Sequence, residues 1–493
     1  MSSNILTHIR NYTSAGLLAA VGGILSFPIL TRNLSVEDYG LLGLVTSSIA
    51  VAVALGKLGI QHSIIRFFAQ LDNNNNPRWS VKELYSTALI AMLLLSALLS
   101  VIWLITGTVI LPRYMSSEKI PQLFFLATGV VFLRLLGSGI INFLRAQQAS
   151  KVVSVSQVLH KYLHLGLIIL ALLSGNLSAA VVIVFLLVAE LAMVVYVGKA
   201  LWPRLSMDRR SFSPALLKSL VIFGLPLMAY ESLSLVLRLS DRYVIEALLD
   251  VNALGQYSAS YNLTSYLDMI IISGMVQAIR PMYTHIWESE SKLSTQNFLE
   301  RGFRLYTIIG IPLILAFSLV APDLLILLSG EKYHAGTVII PYVALSFFLE
   351  GAVLFLGAGL HIGKNTSVFL QWALLAAVLN IGLNILLVPY FGLVGAALMT
   401  IFSYLVFLAG VTRQSFKTLD FPVDLSRIFL IPLLAFLAYL FLSRIDMDNR
   451  LLSMLFKGSL ATMIYASLLF LLDVDIRDYI GQRIRKLRSG DAV

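Results

Sequence analysis

The sequence predicts an all-α integral membrane protein, a bundle of about fourteen transmembrane helices joined by short loops. Composition is the first ground. Of 493 residues, 58% are hydrophobic and only 13% are charged, with a mean hydropathy of +0.85. A soluble domain carries about 25% charged residues, and a chain of this size must turn polar residues outward to dissolve in water. The second ground is a recurring unit of about twenty apolar residues and a short polar break, the length an α-helix needs to cross roughly 30 Å of hydrocarbon. The third is missing alternation. Runs such as 91–100 and 181–188 lack the period of two that membrane strands show.

Taken in order, the first span lies near 11–31. It is too long for a signal peptide and has no small-x-small cleavage site before Arg32, so it reads as a retained helix. The next five lie near 41–66, 84–110, 121–145, 152–174 and 178–200. A second group of six lies near 216–240, 255–281, 301–329, 336–361, 367–388 and 393–413. Two more follow near 425–443 and 451–472, and residues 476–493 form a basic tail.

Basic residues in alternate loops set the orientation. With the N-terminus inside, 23 of the 36 lysines and arginines fall on the cytoplasmic side and 8 on the outer side. An even number of crossings then places both termini in the cytoplasm. The formal net charge of +10 is mostly this topology together with contact to anionic lipid headgroups. The tail from Arg477 to Arg488 reads as a juxtamembrane basic segment, and no nucleic acid is expected as a partner.

The chain also repeats itself. Leu34-Ser-Val-Glu-Asp-Tyr-Gly40 and Leu249-Asp-Val-Asn-Ala-Leu-Gly255 both fit L-x-V-x-x-x-G. Gly175-Asn-Leu-Ser-Ala-Ala180 matches Gly392-Leu-Val-Gly-Ala-Ala397, and the basic inner loop 145–150 matches 361–366. The offsets are 215, 217 and 216 residues, which implies a duplicated six-helix unit. Six is even, so the copies share one orientation about an axis along the membrane normal. The expected organisation is a lobe at 1–210, a lobe at 211–420, two added helices at 421–475 and the cytoplasmic tail. Two such lobes are a transporter architecture.

Enzymatic chemistry has little support. Cysteine is absent, which removes disulfides, thiolate metal sites and cysteine catalysis. The nearest approach to a P-loop, Ala358-Gly-Leu-His-Ile-Gly363-Lys364-Asn365, lacks the first glycine and the final hydroxyl residue. His160 and His164 share a helix face, yet a metal site needs a third ligand. Outer loops are short, whereas membrane polymerases and ligases carry catalysis on larger ones. No catalytic residue, metal or cofactor is expected.

Charges inside the spans cost about 2.5–3.5 kcal/mol each near a helix centre, so they persist where they face a polar cavity or a partner. On the fourth helix Arg134, Ser138, Asn142 and Arg145 fall on one face, and on the seventh Glu231, Ser234, Arg238 and Asp241 do so. On the tenth, Ser346, Glu350, Gly357 and His361 share a face. On the eighth, Ser273, Gln277 and Arg280 align while Asp268 sits apart. Such residues are either pairs that hold helices together or the lining of an aqueous path. Lys57, Arg134, Lys161 and Arg280 are the candidates for an anionic, pyrophosphate-like ligand, since arginine forks match phosphate oxygens. Glu231, Arg238, Asp268 and Glu350 are candidates for charge pairing or for coupling to H+ or Na+. Lys457, on an added helix, reads as a snorkelling side chain.

The chain resembles the Wzx-type polysaccharide flippases of the MOP exporter superfamily, which also holds lipid II flippases and MATE drug exporters. The residues that carry the resemblance are Pro28-Ile-Leu-Thr-Arg-Asn-Leu-Ser-Val-Glu-Asp-Tyr-Gly40, Leu58-Gly-Ile-Gln-His-Ser-Ile-Ile-Arg-Phe-Phe68, Phe223-Gly-Leu-Pro226 and Ser240-Asp-Arg242. Gly255-Gln-Tyr-Ser258, Ala321-Pro-Asp-Leu-Leu325 and Gly330-Glu-Lys-Tyr333 continue it. Pro28, Pro226 and Pro312 would kink or end helices, and Gly40 and Gly255 would suit tight starts to the helices that follow.

The resemblance implies a MOP-type transporter fold in the cytoplasmic membrane. It implies alternating-access transfer of a polyprenyl-pyrophosphate-linked oligosaccharide, such as an O-antigen repeat unit, without covalent chemistry. Membrane lipids and a polysaccharide polymerase or export machinery are the implied partners. Lipid II transport and MATE-type export of small molecules stay open as alternatives. So do a membrane enzyme and a non-transporting subunit of an export complex. The added helix pair and the basic stripes favour the oligosaccharide-lipid reading over drug export.

Overall fold

Local signals start many of the helices. The Ser35 hydroxyl accepts the N–H of Asp38 at 3.0 Å, and Glu37 and Asp38 place negative charge in the first turn that follows. Ser80 and Glu83 cap each other reciprocally at the start of the next long helix. Ser178 and Ser213 cap in the simpler way, each accepting one backbone N–H at 3.3 Å. The computed structural model describes residues 2–72, 78–204, 209–269, 274–422, 433, 436–445, 447 and 449–472. The basic tail and much of the expected span near 425–443 lie outside the described residues.

The helices are α1 (Ser2–Asn33), α2 (Val36–Gly56), α3 (Ile60–Asp72), α4 (Val81–Ile105), α5 (Ile120–Ala146), α6 (Ser150–Leu173) and α7 (Ala179–Leu201). They continue as α8 (Pro214–Leu239), α9 (Asp241–Leu248), α10 (Val251–Asp268), α11 (Gly274–Ser289) and α12 (Lys292–Ser329). The last are α13 (Ile340–Leu356), α14 (Ala358–Ile362), α15 (Thr366–Ser415) and α16 (Arg450–Leu472). No strand occurs among the described residues. Ten helical stretches among them are long and apolar enough to cross a bilayer. One of these holds two crossings, because the 50 residues of α15 would run roughly 75 Å unbent. They are joined at Gly392, whose φ of 57° and ψ of −141° leave the helical region. The eighth expected span corresponds to α10 and α11, and the fourteenth to α16.

Burial runs inside-out relative to a soluble protein. On α4, Leu94 and Leu98 are 62% and 57% exposed while Ser86, Thr87 and Ser96 are fully buried. Apolar groups face outward because lipid is their solvent, and hydroxyls turn inward to find backbone carbonyls, as Ser96 does at 2.6 Å from Met92 O.

Two compact units emerge. The first comprises Met1–Ala259, Leu328–Gly336 and Thr366–Ser403. Within it α5 packs on α4 and α7, α1 packs on α6, and both α2 and α3 pack on α8. The second comprises Ser260–Leu327, Thr337–Asn365 and Tyr404–Val493. Its core gathers Tyr283, Leu299, Phe303, Tyr306, Phe355 and Leu419, with Tyr306 stacked on Phe348 at 4.8 Å. Here α16 is tied to α12 by Ser453, which donates to Asp323 Oδ2 at 3.0 Å, and by Tyr465, which donates to Ile308 O at 2.8 Å.

The second expected span, near 41–66, is broken rather than continuous. Leu58 and Gly59 adopt φ of +45° and +74°, ending α2 and restarting the chain as α3. The break lets Gly59 meet Gly224 backbone to backbone, where an added Cβ would lie 2.0 Å from Gly224 O. The same seam holds Arg66 4.3 Å over the Phe223 ring and Ser63 donating to Leu220 O. Thus the strings 58–68 and 223–226 are two sides of one contact.

A second contact unites three other strings. Lys332 donates to Leu34 O at 2.6 Å and Arg32 O at 3.1 Å, Tyr333 lies edge-on to Tyr39, and Gly336 N–H donates to Gln256 Oε1 at 3.0 Å. Gly40 belongs here too. It sits inside α2, with a Cβ at its position falling 2.6 Å from Gly255 N. Gly40 and Gly255 therefore serve a close backbone approach, and the expectation that they suit tight helix starts is corrected. Pro28, Pro226 and Pro312 lie inside α1, α8 and α12 without ending them.

Candidate functional site

The broken second helix also delivers the first cation. Lys57 caps α2, and its Nζ lies 3.9 Å from Glu231 Oε1 on α8. The other oxygen, Oε2, accepts from Gln61 at 3.2 Å and sits 3.1 Å from His62 Nε2, both on the first turn of α3. Arg134, midway along α5, sends Nη2 to Glu190 Oε2 on α7 at 3.0 Å and Nε to the same atom at 3.3 Å. His160 Nε2 on α6 lies 3.0 Å from that oxygen. The ring of His164 donates to Val182 O at 3.2 Å.

These groups form one electrostatic neighbourhood in the first unit. Arg134 and Arg145 both act on Lys57, and Lys161, His160 and Arg134 all act on His164. Lys161 has no ion pair among the described residues, and its side chain lies over Gly22 of α1. The ammonium and guanidinium groups of Lys57, Arg134, Arg145 and Lys161 outnumber the carboxylates of Glu190 and Glu231. A surplus of positive charge on membrane helices attracts anions. Arginine supplies planar forks for phosphate oxygens, while lysine supplies point charges.

Three of the four sequence-selected cations therefore lie in one unit. Arg280, exposed on α11, belongs to the second unit, near Tyr283 and His361. Of its expected stripe, Ser273 and the side chain of Gln277 lie outside the described residues. In the same unit Asp268 and Glu350 both act on Tyr306, and Glu350 Oε2 accepts from Tyr404 at 3.0 Å. Arg238 is half-buried at the end of α8, in the first unit.

Sequence reasoning passed over one almost wholly enclosed polar centre. Asp241, at the start of α9, is 1% exposed. Its Oδ1 accepts from Asn384 at 2.6 Å, and its Oδ2 accepts from Thr400 at 2.7 Å and Tyr257 at 2.6 Å. Asn380 Oδ1 accepts from Ser240 and Asn384, and Oδ1 of Asn384 is buried without a partner. A buried carboxylate held by one amide N–H and two hydroxyl donors, beside an amide oxygen left without a partner, is a polar centre that can exchange a proton or admit a small cation. The signal available in sequence was the position of Asp241 on the Glu231 stripe and the i, i+4 spacing of Asn380 and Asn384.

Comparison with known proteins bears on this geometry. The profile of a family described as "Polysaccharide biosynthesis protein" matches residues 6–287. An uncharacterized membrane protein of Methanocaldococcus jannaschii is 24% identical over 296 residues, which is 58% of this chain and 57% of that protein. The chain thus aligns with little more than half the length of that relative. Among solved structures, the lipid II flippase MurJ in an inward closed conformation superposes with a TM-score of 0.75 at 14% identity, covering 95% of this chain and 99% of that one. An inward-facing MATE-family multidrug transporter of the MOP superfamily gives a TM-score of 0.64 at 15% identity, covering 82% and 95%. These likenesses show the fold.

Proposed function

Because the chain belongs to the polysaccharide biosynthesis protein family, we propose that it is a flippase for a polyprenyl-pyrophosphate-linked oligosaccharide in the cytoplasmic membrane. The observation that carries the reading is the cationic cluster of Lys57, Arg134, Arg145 and Lys161 on membrane helices. A pyrophosphate needs such charge to leave headgroup water, and the polyprenyl chain can stay in lipid throughout. Arg280 is a further anion contact in the proposal. Lobes at 1–210 and 211–420 would rock in alternating access, with both termini cytoplasmic and no bond made or broken in the substrate.

In this proposal coupling to H+ or Na+ runs through Asp241, whose enclosure by Tyr257, Asn384 and Thr400 supports the reading. Glu231, with Lys57 and His62 against it, then acts as a charge partner, and Arg238, Asp268 and Glu350 keep the pairing roles proposed for them. Membrane lipids and a polysaccharide polymerase or export complex are the proposed partners. A cationic cluster disfavours export of cationic drugs. Lipid II offers the same polyprenyl pyrophosphate and is the second reading, to which the fold similarity lends support.

The test is a reconstituted flipping assay with fluorescent polyprenyl-pyrophosphate glycans, an O-unit type beside a lipid II type. Each charged contact is worth about 1.5–3 kcal/mol. Lys57→Ala, Arg134→Ala and Lys161→Ala combined should therefore slow transfer on the order of 100-fold or more. Transfer unchanged in that variant would sink the cationic site. No transfer of any isoprenoid-linked glycan by the wild type would sink the function.

A further inference from the structure

Glu190 is 2% exposed on a membrane helix, yet all its polar contacts crowd onto one oxygen. Nε and Nη2 of Arg134 both point at Oε2, at 3.3 and 3.0 Å. The usual fork, in which two N–H groups meet two oxygens, is not made. Nη1 of Arg134 has no partner among the described residues, and that side chain is 30% exposed. The arginine is thus held at one edge and open at another. His160 Nε2 already lies 3.0 Å from the same Oε2, close enough to hold the carboxylate when Arg134 lets go. A buried ion pair is poor at stabilising a fold, because desolvating the carboxylate offsets the attraction. This one therefore calls for another reason.

We propose that Glu190 is the resident counter-anion of Arg134, exchanged for the phosphate oxygens of the ligand, and that His160 takes over Glu190 while Arg134 is away. The idea rests on the reading of this cluster as a phosphate site. A phosphate presents two oxygens in the spacing of the guanidinium fork and displaces a carboxylate that offers one. Glu190, left alone in a low-dielectric setting, would be strongly destabilised. The imidazole N–H already beside Oε2 is close enough to satisfy it. When the ligand departs, Glu190 reclaims Arg134, so the site neither stays bare nor holds its ligand too tightly. Glu190 and His160 are positioning residues, acting on the ligand through Arg134.

The experiment measures inorganic pyrophosphate binding to the purified full chain in detergent by calorimetry. Glu190→Gln keeps the shape and removes the competing charge, and should tighten binding about tenfold. The gain should vanish when Arg134→Gln is added, because it acts through the freed guanidinium. Equal or weaker binding by Glu190→Gln, with melting that shows it folded, overturns the proposal, and so does a gain that survives loss of Arg134. Should Glu190→Gln not fold, Glu190→Asp keeps the charge but draws it back, and should tighten binding by a smaller factor. Unchanged or weaker binding there overturns the proposal equally. A wild-type protein that binds pyrophosphate but moves no lipid-linked glycan overturns the transport reading and leaves these ratios standing.

Discussion

Asp241 concentrates the chemistry that single residues bring to this fold. Its two oxygens take three short hydrogen bonds from Tyr257, Asn384 and Thr400, which lie 16, 143 and 159 residues away in sequence. No spacing rule reaches across such separations, so only the stripe position of Asp241 was legible beforehand. The ion pair of Arg134 with Glu190 escaped for the same reason, its members being 56 residues apart on different helices. By contrast, the cations themselves were legible, because a charge in a run of leucines stands out whatever its partner. Asp241→Asn removes the one formal charge from the ring and turns an amide N–H2 toward existing donors. It should cost about 1–3 kcal/mol, read as a lowered melting temperature. Flipping driven by an imposed proton or sodium gradient should lose its dependence on that gradient. A variant whose rate still rises with the gradient as the wild type's does would move the coupling site elsewhere.

At the level of helices, hydropathy located the crossings and missed how they bend. Lys57-Leu58-Gly59 lies within a span counted as one helix, and a hydropathy sum does not register a positive φ at Leu58. The break at Gly392, by contrast, falls in the gap between the expected spans 367–388 and 393–413, where the repeated glycine motif marks it. The glycines of α2 and α10 were visible as a repeated motif, but sequence could not tell a turn from a contact. Substitution separates the two. Gly40→Ala would put a methyl 2.6 Å from Gly255 N, and Gly255→Ala would put one 2.1 Å from Val36 O. Overpacking of this kind costs about 1–3 kcal/mol, so both variants should melt earlier and transport poorly. Gly16→Ala, with nothing within 4 Å, should hold its melting temperature or gain the roughly 0.5–1 kcal/mol that alanine offers in a helix. Equal behaviour of all three would show the close approach to be unimportant.

For the molecule as a whole, orientation is open to a clean chemical check because the chain has no cysteine of its own. Tyr114→Cys, at an exposed position between α4 and α5, should react with an impermeant maleimide added outside cells. Lys364→Cys, exposed between α14 and α15, should react only after the membrane is opened. The reverse pattern would invert the topology. The repeat also acquires a physical meaning at this scale. Gly40 and Gly255 hold the same place in the repeated L-x-V-x-x-x-G motif, and their backbones meet. That contact sets a schedule for biosynthesis. Gly40 leaves the ribosome 215 residues before the partner it must meet. At about 5–20 residues per second, the first turns of α2 wait on the order of ten to forty seconds for that contact. Insertion of α10 closes it, so the first half of the chain cannot reach its final packing until the second half has begun to enter the membrane.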